Sequence, residues 1–178
     1  MASKEIVLYR GLTPGALRLD VRGGYGEAWS WDFEYATGWA RPPRGYVLEA
    51  VLHPSAKRLV LVTEPDEEGF SDYDLKGIRE LADIVGDPFI YDDFMEQGGH
   101  LWDLWEPEWT KAIKDAGYDS IFTGGFDGPE EYVLNPNKLQ FIWYHRVLAR
   151  DQFEQYPIEE GTLERLGYVV GLVIANSD

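Results

Sequence analysis

Residues 117–142, GYDSIFTGGFDGPEEYVLNPNKLQFI, decide the fold that this sequence predicts. The stretch divides into a strand at 120–123, a glycine-rich loop at 124–129, a second strand at 130–134, an Asn-Pro-Asn turn and a third strand at 139–144. Gly and Pro mark the two breaks because they favour turn conformations. The sequence therefore predicts three consecutive strands with short connections.

Two adjacent acids, Glu130 and Glu131, stand where the loop enters the second of these strands. Side chains alternate along a strand, so the two carboxylates are expected on opposite faces. One of them can serve a cleft while the other faces solvent or a loop. A carboxylate on a rigid strand beside a glycine-rich loop suits catalysis. The competing interpretation is a pair of exposed acids at a strand end, where Asp and Glu are ordinarily found.

The composition restricts the classes of function. A chain of 178 residues with 44% apolar residues suits a single domain, 1–178, with an ordinary core. The net charge of −16 disfavours general nucleic-acid binding but leaves room for a small basic pocket. Aromatic residues, 15% of the chain, suit a site that stacks planar rings. The absence of Cys excludes disulfides, thiolate catalysis and Cys-ligated zinc.

The sequence shows no secretory signal and no apolar run of membrane-span length, so we expect a soluble, cytoplasmic protein. The acids at Asp92, Asp93 and Glu96 lack a neighbouring His and the glycine spacing of a calcium loop. A solvated acidic face is therefore favoured there, and we predict no metal site.

The first predicted strand, at 5–9, ends at Arg10 and Gly11. A guanidinium at a strand end can grip a phosphate with its planar fork of donors, and Gly lets a ligand approach the backbone. A surface salt bridge to one of the many acids is the alternative for Arg10. After a polar, glycine-rich loop or hairpin at 16–26, a short strand is predicted through Ser30.

Asp32 is predicted as the N-cap of a helix over 33–40, with Ala36 and Ala40 giving that helix a small-residue face for close packing. The remaining predictions are strands at 46–52 and 58–63, helices at 72–85 and from 106 to 116, an irregular segment at 89–99, a short helix at 159–166 and an apolar C-terminal segment at 168–175. Strands and helices are mixed in order, which indicates an α+β fold. No glycine-rich nucleotide-binding motif of the dinucleotide or P-loop type is present.

Three features taken in chain order resemble the ADP-ribosyltransferase superfamily, in its Arg–Ser–Glu branch. They are the Arg of LYRG at the end of the first predicted strand, the Ser that opens SWDFEYATGWA, and the Glu that starts the strand in PEEYVLNPNKLQFI. The resemblance covers most of a core at 5–144, leaves a C-terminal extension at 145–178, and points to small free-standing members of bacterial-toxin or phage type. It implies two small packed β-sheets with peripheral helices and NAD bound in the cleft between the sheets.

The resemblance also implies residue roles. Glu131 is similar to the family's catalytic Glu, which stabilises positive charge on the nicotinamide ribose as the glycosidic bond breaks. Arg10 would bind the pyrophosphate, Gly11 would hold the nicotinamide amide through its backbone, and Ser30 would brace Glu131. Trp31 and Tyr35 are the two candidates for stacking on nicotinamide.

The sequence departs from the family's pattern at two places. The usual Ser-Thr-Ser becomes Ser-Trp-Asp from Ser30 onward, and Pro129 replaces the acid or amide expected two residues before Glu131. The second change puts Arg and Asn acceptors in doubt, and Glu130 remains the alternative catalytic residue.

The expected activity is NAD-dependent mono-ADP-ribosyl transfer to a macromolecular acceptor, which the charge favours as protein over nucleic acid. The alternatives are an NAD glycohydrolase and a catalytically degenerate, acidic partner-binding protein.

Overall fold

The computed structural model describes residues 4–13, 27–62, 67–98, 101–124 and 128–168. Within these ranges the strands are β1 (Ile6–Leu12), β2 (Glu27–Ser30), β3 (Tyr46–Leu52), β4 (Arg58–Val62), β5 (Ser120–Gly124), β6 (Glu130–Val133), β7 (Leu139–Ala149) and β8 (Gln152–Pro157). The helices are α1 (Phe33–Thr37), α2 (Asp72–Val85), α3 (Ile90–Glu96), α4 (Leu101–Leu104), α5 (Pro107–Asp115) and α6 (Thr162–Arg165). The expected α+β class is confirmed. The predicted loop at 16–26 and the segment at 169–175 lie outside the described residues.

All eight strands of the described ranges form one open sheet in the order β4-β5-β6-β2-β1-β3-β7-β8. The pair β4-β5 is parallel, and every other pair is antiparallel. The described strands therefore show one continuous sheet, and the expected pair of packed sheets is not shown. Strand β1 joins the two halves because it pairs with β3 along seven positions and with β2 through Tyr9 and Ser30.

One face of the sheet, which we call the helical face, carries two groups of helices. Leu59 and Leu61 of β4 and Ile121 of β5 share a buried cluster with apolar residues of α2, α3 and α5. At the other half of the sheet, Val47 and Val147 pack with Ala36 and Ala40 of the segment that contains α1. Ala36 and Ala40 are both buried, which confirms the predicted close packing, but Ala40 lies in the turn after α1 and not on a helix.

The opposite face, which we call the α6 face, holds the third buried cluster. Its members from the sheet include Leu8, Trp29, Leu48 and Val133, and Tyr168 from beyond α6 packs with them. Leu163 and Leu166, in and beside α6, are partly buried against the same cluster. The two faces therefore have separate cores, and each face positions a different set of polar side chains.

Several predicted boundaries need correction. Strand β1 runs to Leu12, so Arg10 lies within the strand and not at its end. Helix α1 ends at Thr37, before a turn, and helix α6 covers only 162–165 after Gly161, whose φ is 80°. The segment predicted as irregular at 89–99 contains α3, with Ile90 and Phe94 buried four residues apart.

Candidate active site on strand β6

The two acids of β6 point to opposite faces of the sheet, as alternation predicts. Glu131 stands between Trp29 of β2 and Phe122 of β5, and its side chain is 0% exposed. Glu130 stands between Ser30 and Thr123 and is partly exposed. The register assigns Glu131 to the α6 face, with Trp29 and Val133, and Glu130 to the helical face.

Glu131 is bound by Arg58, the first residue of β4. The Arg58 Nε donates to Glu131 Oε1 at 2.8 Å, and Arg58 Nη2 donates to the same oxygen. The other carboxylate oxygen, Oε2, is buried and makes no hydrogen bond of normal geometry within the described residues. One oxygen of a fully buried carboxylate thus holds both contacts to the cation.

Two further donors approach this carboxylate. Burial raises the pKa of Glu131 above its ordinary value, and Arg58, Ser120 and Trp31 oppose that rise. The Ser120 hydroxyl and the Trp31 indole nitrogen are buried, and neither makes a hydrogen bond of normal geometry. Buried polar groups are ordinarily paired, so Oε2 of a fully buried carboxylate, with only these two donors near it in the described part of the chain, marks Glu131 as a candidate functional group.

Aromatic rings enclose the cation of this site. The ring centroids of Trp31 and Phe122 lie 5.2 Å apart in an edge-to-face arrangement. The Arg58 guanidinium carbon lies 5.4 Å from the Trp31 centroid and 5.3 Å from that of Phe122. Both distances suit cation–π attraction. We call Arg58, Ser120, Phe122, Trp31 and Glu131 the Glu131 cluster.

Polar side chains also form a row on the helical face. Register pairs connect Glu130, Ser30, Tyr9 and Glu49 across β6, β2, β1 and β3. The Tyr132 hydroxyl donates to Glu130 Oε2 at 3.0 Å, and the Ser30 hydroxyl accepts from the backbone N–H of Asp32 at 3.0 Å. Burial, followed by Glu49 and Asp32, raises the pKa of Tyr9. The Ser30 side chain therefore lies on the same face of the sheet as Glu130.

Arg10 lies on the same face as Glu131 but has other partners. Its side chain is 6% exposed, its Nη1 donates to the carbonyl of Ala28 at 2.6 Å, and its Nε lies 3.8 Å from Glu27 Oε1. Glu27, itself buried, also accepts from the Trp29 indole nitrogen at 2.9 Å and from the Tyr168 hydroxyl. The alternative that the sequence leaves open for Arg10 is a surface salt bridge, and the structure shows a buried ion pair with Glu27 instead.

Gly11 and Tyr35 lie with α1 on the helical face. A Cβ at Gly11 would come 1.8 Å from the carbonyl oxygen of Ala36, so Gly11 admits the helix to the sheet. The Tyr35 ring packs edge-on against Trp39, with centroids 6.5 Å apart. Tyr35 is therefore separated by the sheet from Glu131, and Gly11, within β1, faces α1 on the side away from Glu131.

The structure thus brings together two of the predicted site residues, Glu131 and Trp31. The expected brace between Ser30 and Glu131 is corrected, because β2 aligns Ser30 with Glu130 and turns its side chain to the other face. Sequence reasoning missed Arg58 and Ser120. Both begin strands, and they are register partners in the parallel pair β4-β5, but the sequence carries no signal for that register.

The described residues contain no group of three or more His, Cys, Asp or Glu side chains arranged to hold a metal ion. None of the helices in the described ranges has the length and apolarity needed to cross a bilayer. No protein-family model, no curated protein and no solved structure matches this chain.

Proposed function

We propose that this chain is an NAD-dependent mono-ADP-ribosyltransferase that modifies a macromolecular acceptor, with protein favoured by the acidic net charge. The observation that carries the proposal is the adjacency of β6, β2 and β1 in the sheet. These are the strands that bear the Glu, Ser and Arg of the resemblance, although about a hundred residues separate β2 from β6 in the chain. The adjacency of strands so far apart in sequence supports a site that draws on β6, β2 and β1.

We also propose that the fold is of the ADP-ribosyltransferase type. The halves β4-β5-β6-β2 and β1-β3-β7-β8 would correspond to the two sheets of an ADP-ribosyltransferase domain. In support, the two halves meet through the single register pair of Tyr9 with Ser30, whereas β1 and β3 pair along seven positions. A junction held by so few backbone pairs suits a change in direction between the halves.

The proposed chemistry uses Glu131. The C1′–N1 bond between ribose and nicotinamide breaks, and its electron pair leaves with nicotinamide. Positive charge develops on the ribose, and a carboxylate held in a low-dielectric site stabilises that charge. A nucleophile of the acceptor then forms a bond to C1′ and releases its proton. Trp31, next to Glu131, supplies the aromatic surface on which a planar ring can stack.

Two alternatives remain distinct from this proposal. With water as the acceptor, the same site would be an NAD glycohydrolase. The other alternative is a partner-binding protein without catalysis, and a specific observation favours it: Arg10 and Glu131 lie on one face of the sheet, while Ser30 lies on the other. The net charge of −16 would then serve to bind a basic partner.

The test is nicotinamide release from NAD by the purified protein, alone and with cell lysate, for wild type, E131Q and E130Q. The two variants are matched because each removes one charge from adjacent residues on opposite faces. We expect E131Q to lower release by about a hundredfold or more, since the developing charge loses its carboxylate, with E130Q close to wild type. Circular dichroism checks that both variants are folded.

Other outcomes discriminate among the alternatives. Release that depends on lysate indicates a transferase, and release without lysate indicates a glycohydrolase. Loss of release in E130Q alone would transfer the catalytic role to the Glu130–Ser30 side of the sheet. If wild type releases no nicotinamide and NAD does not raise its Tm, the enzyme proposal fails and the partner-binding alternative replaces it.

A further inference from the structure

The ion pair of Arg58 and Glu131 is asymmetric in its exposure. The Arg58 side chain is 23% exposed, whereas that of Glu131 is 0% exposed. A ligand that approaches from solvent therefore meets the guanidinium before the carboxylate. Arg58 is therefore the member of the pair that a ligand can reach while Glu131 stays buried.

The guanidinium retains unused donors. Its Nε and Nη2 both donate to Glu131 Oε1, and among the described residues its Nη1 has no hydrogen-bond partner. The rings of Trp31 and Phe122 hold the guanidinium by contacts that do not consume N–H donors. A phosphate oxygen can therefore be bound before the contacts to Glu131 break.

The register also places Arg10 and Arg146 on this face, and Arg10 is the one to which the resemblance assigns the diphosphate. It is only 6% exposed, and it is held by the carbonyl of Ala28 and by the buried Glu27. Moving either Arg10 or Arg58 to a ligand would leave a buried carboxylate without its cation, which is costly, but Arg10 in addition has almost no surface that a ligand can reach. Arg58 is more exposed and lies directly beside the proposed reacting carboxylate.

We propose that Arg58 binds the diphosphate of a dinucleotide ligand, and that its exchange from Glu131 to the diphosphate uncovers Glu131. This inference rests on the proposed function and names the residue that holds the diphosphate, a role the family resemblance gives to Arg10. Planar, bidentate recognition of phosphate oxygens is the chemistry for which a guanidinium is suited.

The exchange also links binding to reaction. Burial raises the pKa of Glu131, and Arg58 is the main group that opposes the rise. Once Arg58 turns to the diphosphate, the carboxylate lacks a positive partner until charge develops on the ribose. Because burial is then no longer opposed by Arg58 and raises the pKa of Glu131 further, the positive charge that develops on the ribose would be what favours the ionised carboxylate.

The experiment measures binding of ADP-ribose, which carries the diphosphate but has no nicotinamide to release, and of adenosine, which has no phosphate. Isothermal titration calorimetry compares wild type with R58Q, R58K and R79Q. Arg79 is the matched control because it lies in α2 over the Tyr91 ring, at 5.2 Å, and is exposed. We expect R58Q to weaken ADP-ribose binding about tenfold or more, while R79Q and adenosine binding stay unchanged.

Two further variants keep the test decisive if R58Q does not fold. R58K preserves a charge beside Glu131 but lacks the planar fork, so we expect weaker ADP-ribose binding from a folded protein. E131Q frees Arg58 from its carboxylate, so we expect it to bind ADP-ribose about tenfold more tightly than wild type.

Failure of this inference differs from failure of the proposed function. If wild type releases nicotinamide but R58K keeps wild-type ADP-ribose affinity, or E131Q binds no more tightly, the role of Arg58 is overturned and the activity stands. If wild type binds ADP-ribose through Arg58 but releases no nicotinamide, the diphosphate site stands without the activity. Wild type that does not bind ADP-ribose, or equal losses in R58Q and R79Q, overturns the inference.

Discussion

A methyl group at Gly11 would lie 1.8 Å from the carbonyl oxygen of Ala36 and 2.9 Å from its carbonyl carbon. Both atoms belong to backbone, so neither can turn aside as a flexible side chain would. The glycine beside Arg10 therefore has a structural role that is independent of any ligand: it sets the distance between β1 and α1.

We predict that Gly11→Ala destabilises the protein by about 3 kcal/mol, because the helix or the strand must shift to admit the methyl group. Urea unfolding followed by circular dichroism measures the change in the free energy of unfolding. Gly124→Ala is the matched control: Gly124 also lies in a strand, but its nearest neighbour, Phe122 Cε1, would be 3.9 Å away. Equal effects at both positions would contradict the packing argument.

The candidate site was predictable only where its residues are close together in the chain or carry a motif. Glu131 stands out by its place at a strand start, and Trp31 by its aromatic ring near Ser30. Arg58 and Ser120 reach Glu131 through the parallel register of β4 with β5 and the antiparallel register of β5 with β6. Those registers depend on helix packing across the sheet, which no local pattern in the sequence expresses.

Helix α2 shows how local signals fix an element. Its bounds, Asp72–Val85, agree with the sequence prediction at both ends. Ser71 caps the N-terminus by accepting from the backbone N–H of Asp74, and the Asp74 carboxylate accepts from the backbone N–H of Ser71. Gly86, with φ at 73°, ends the helix in the left-handed conformation.

We predict that Ser71→Ala destabilises the protein by about 1 kcal/mol, since loss of the capping hydroxyl leaves an N–H of the first turn without its partner. Ser71→Thr keeps the hydroxyl and should cost much less. The same hydroxyl lowers the pKa of Asp74, so NMR titration of that carboxyl should show a higher pKa in the Ala variant than in the Thr variant. Equal pKa values in the two variants would contradict the capping geometry.

No comparable capping, glycine or alternation signal marks β8 or the end of β7 in the sequence. Five of the six residues of β8 are exposed, so the strand has no buried alternation for the sequence to reveal. It lies at the edge of the sheet and continues from β7 through Arg150 and Asp151, a connection without Gly. Edge strands with polar side chains on both faces are recognisable only through the partner strand.

At the scale of the whole molecule, a buried polar network anchors the C-terminal part of the described chain to the sheet. The Tyr46 hydroxyl of β3 donates to the carbonyl of Leu166 at 3.1 Å, and the Tyr168 hydroxyl donates to Glu27 of β2. Arg10 of β1 lies beside the same Glu27. Strands from both halves of the sheet therefore meet the segment around α6 through hydroxyls that must remain protonated.

These hydroxyls determine the stability of the protein at alkaline pH. Burial raises the pKa of Tyr46 to about 12, against the opposing charge of Arg10, and burial and Glu27 raise the pKa of Tyr168 well above 10. Between pH 10 and pH 12 the unfolded chain loses these protons while the folded chain keeps them. The unfolded state then binds fewer protons, so the free energy of unfolding falls as pH rises through this window.

The variant Tyr46→Phe isolates the contribution of Tyr46 to the loss of stability at alkaline pH. At pH 7 the variant should be less stable than wild type by about 1 kcal/mol, because the hydrogen bond to the Leu166 carbonyl is lost and that acceptor stays buried. At pH 11 the raised pKa of Tyr46 costs wild type on the order of 1 kcal/mol, a cost that the variant does not have. Urea unfolding at both pH values should therefore show a gap at pH 7 that nearly closes at pH 11. Tyr168 is present in both proteins, and Tyr46 is the last of the causes that raise its pKa, so most of the contribution of Tyr168 cancels in this comparison. A gap of the same size at the two pH values would mean that Tyr46 does not keep its proton in the folded state.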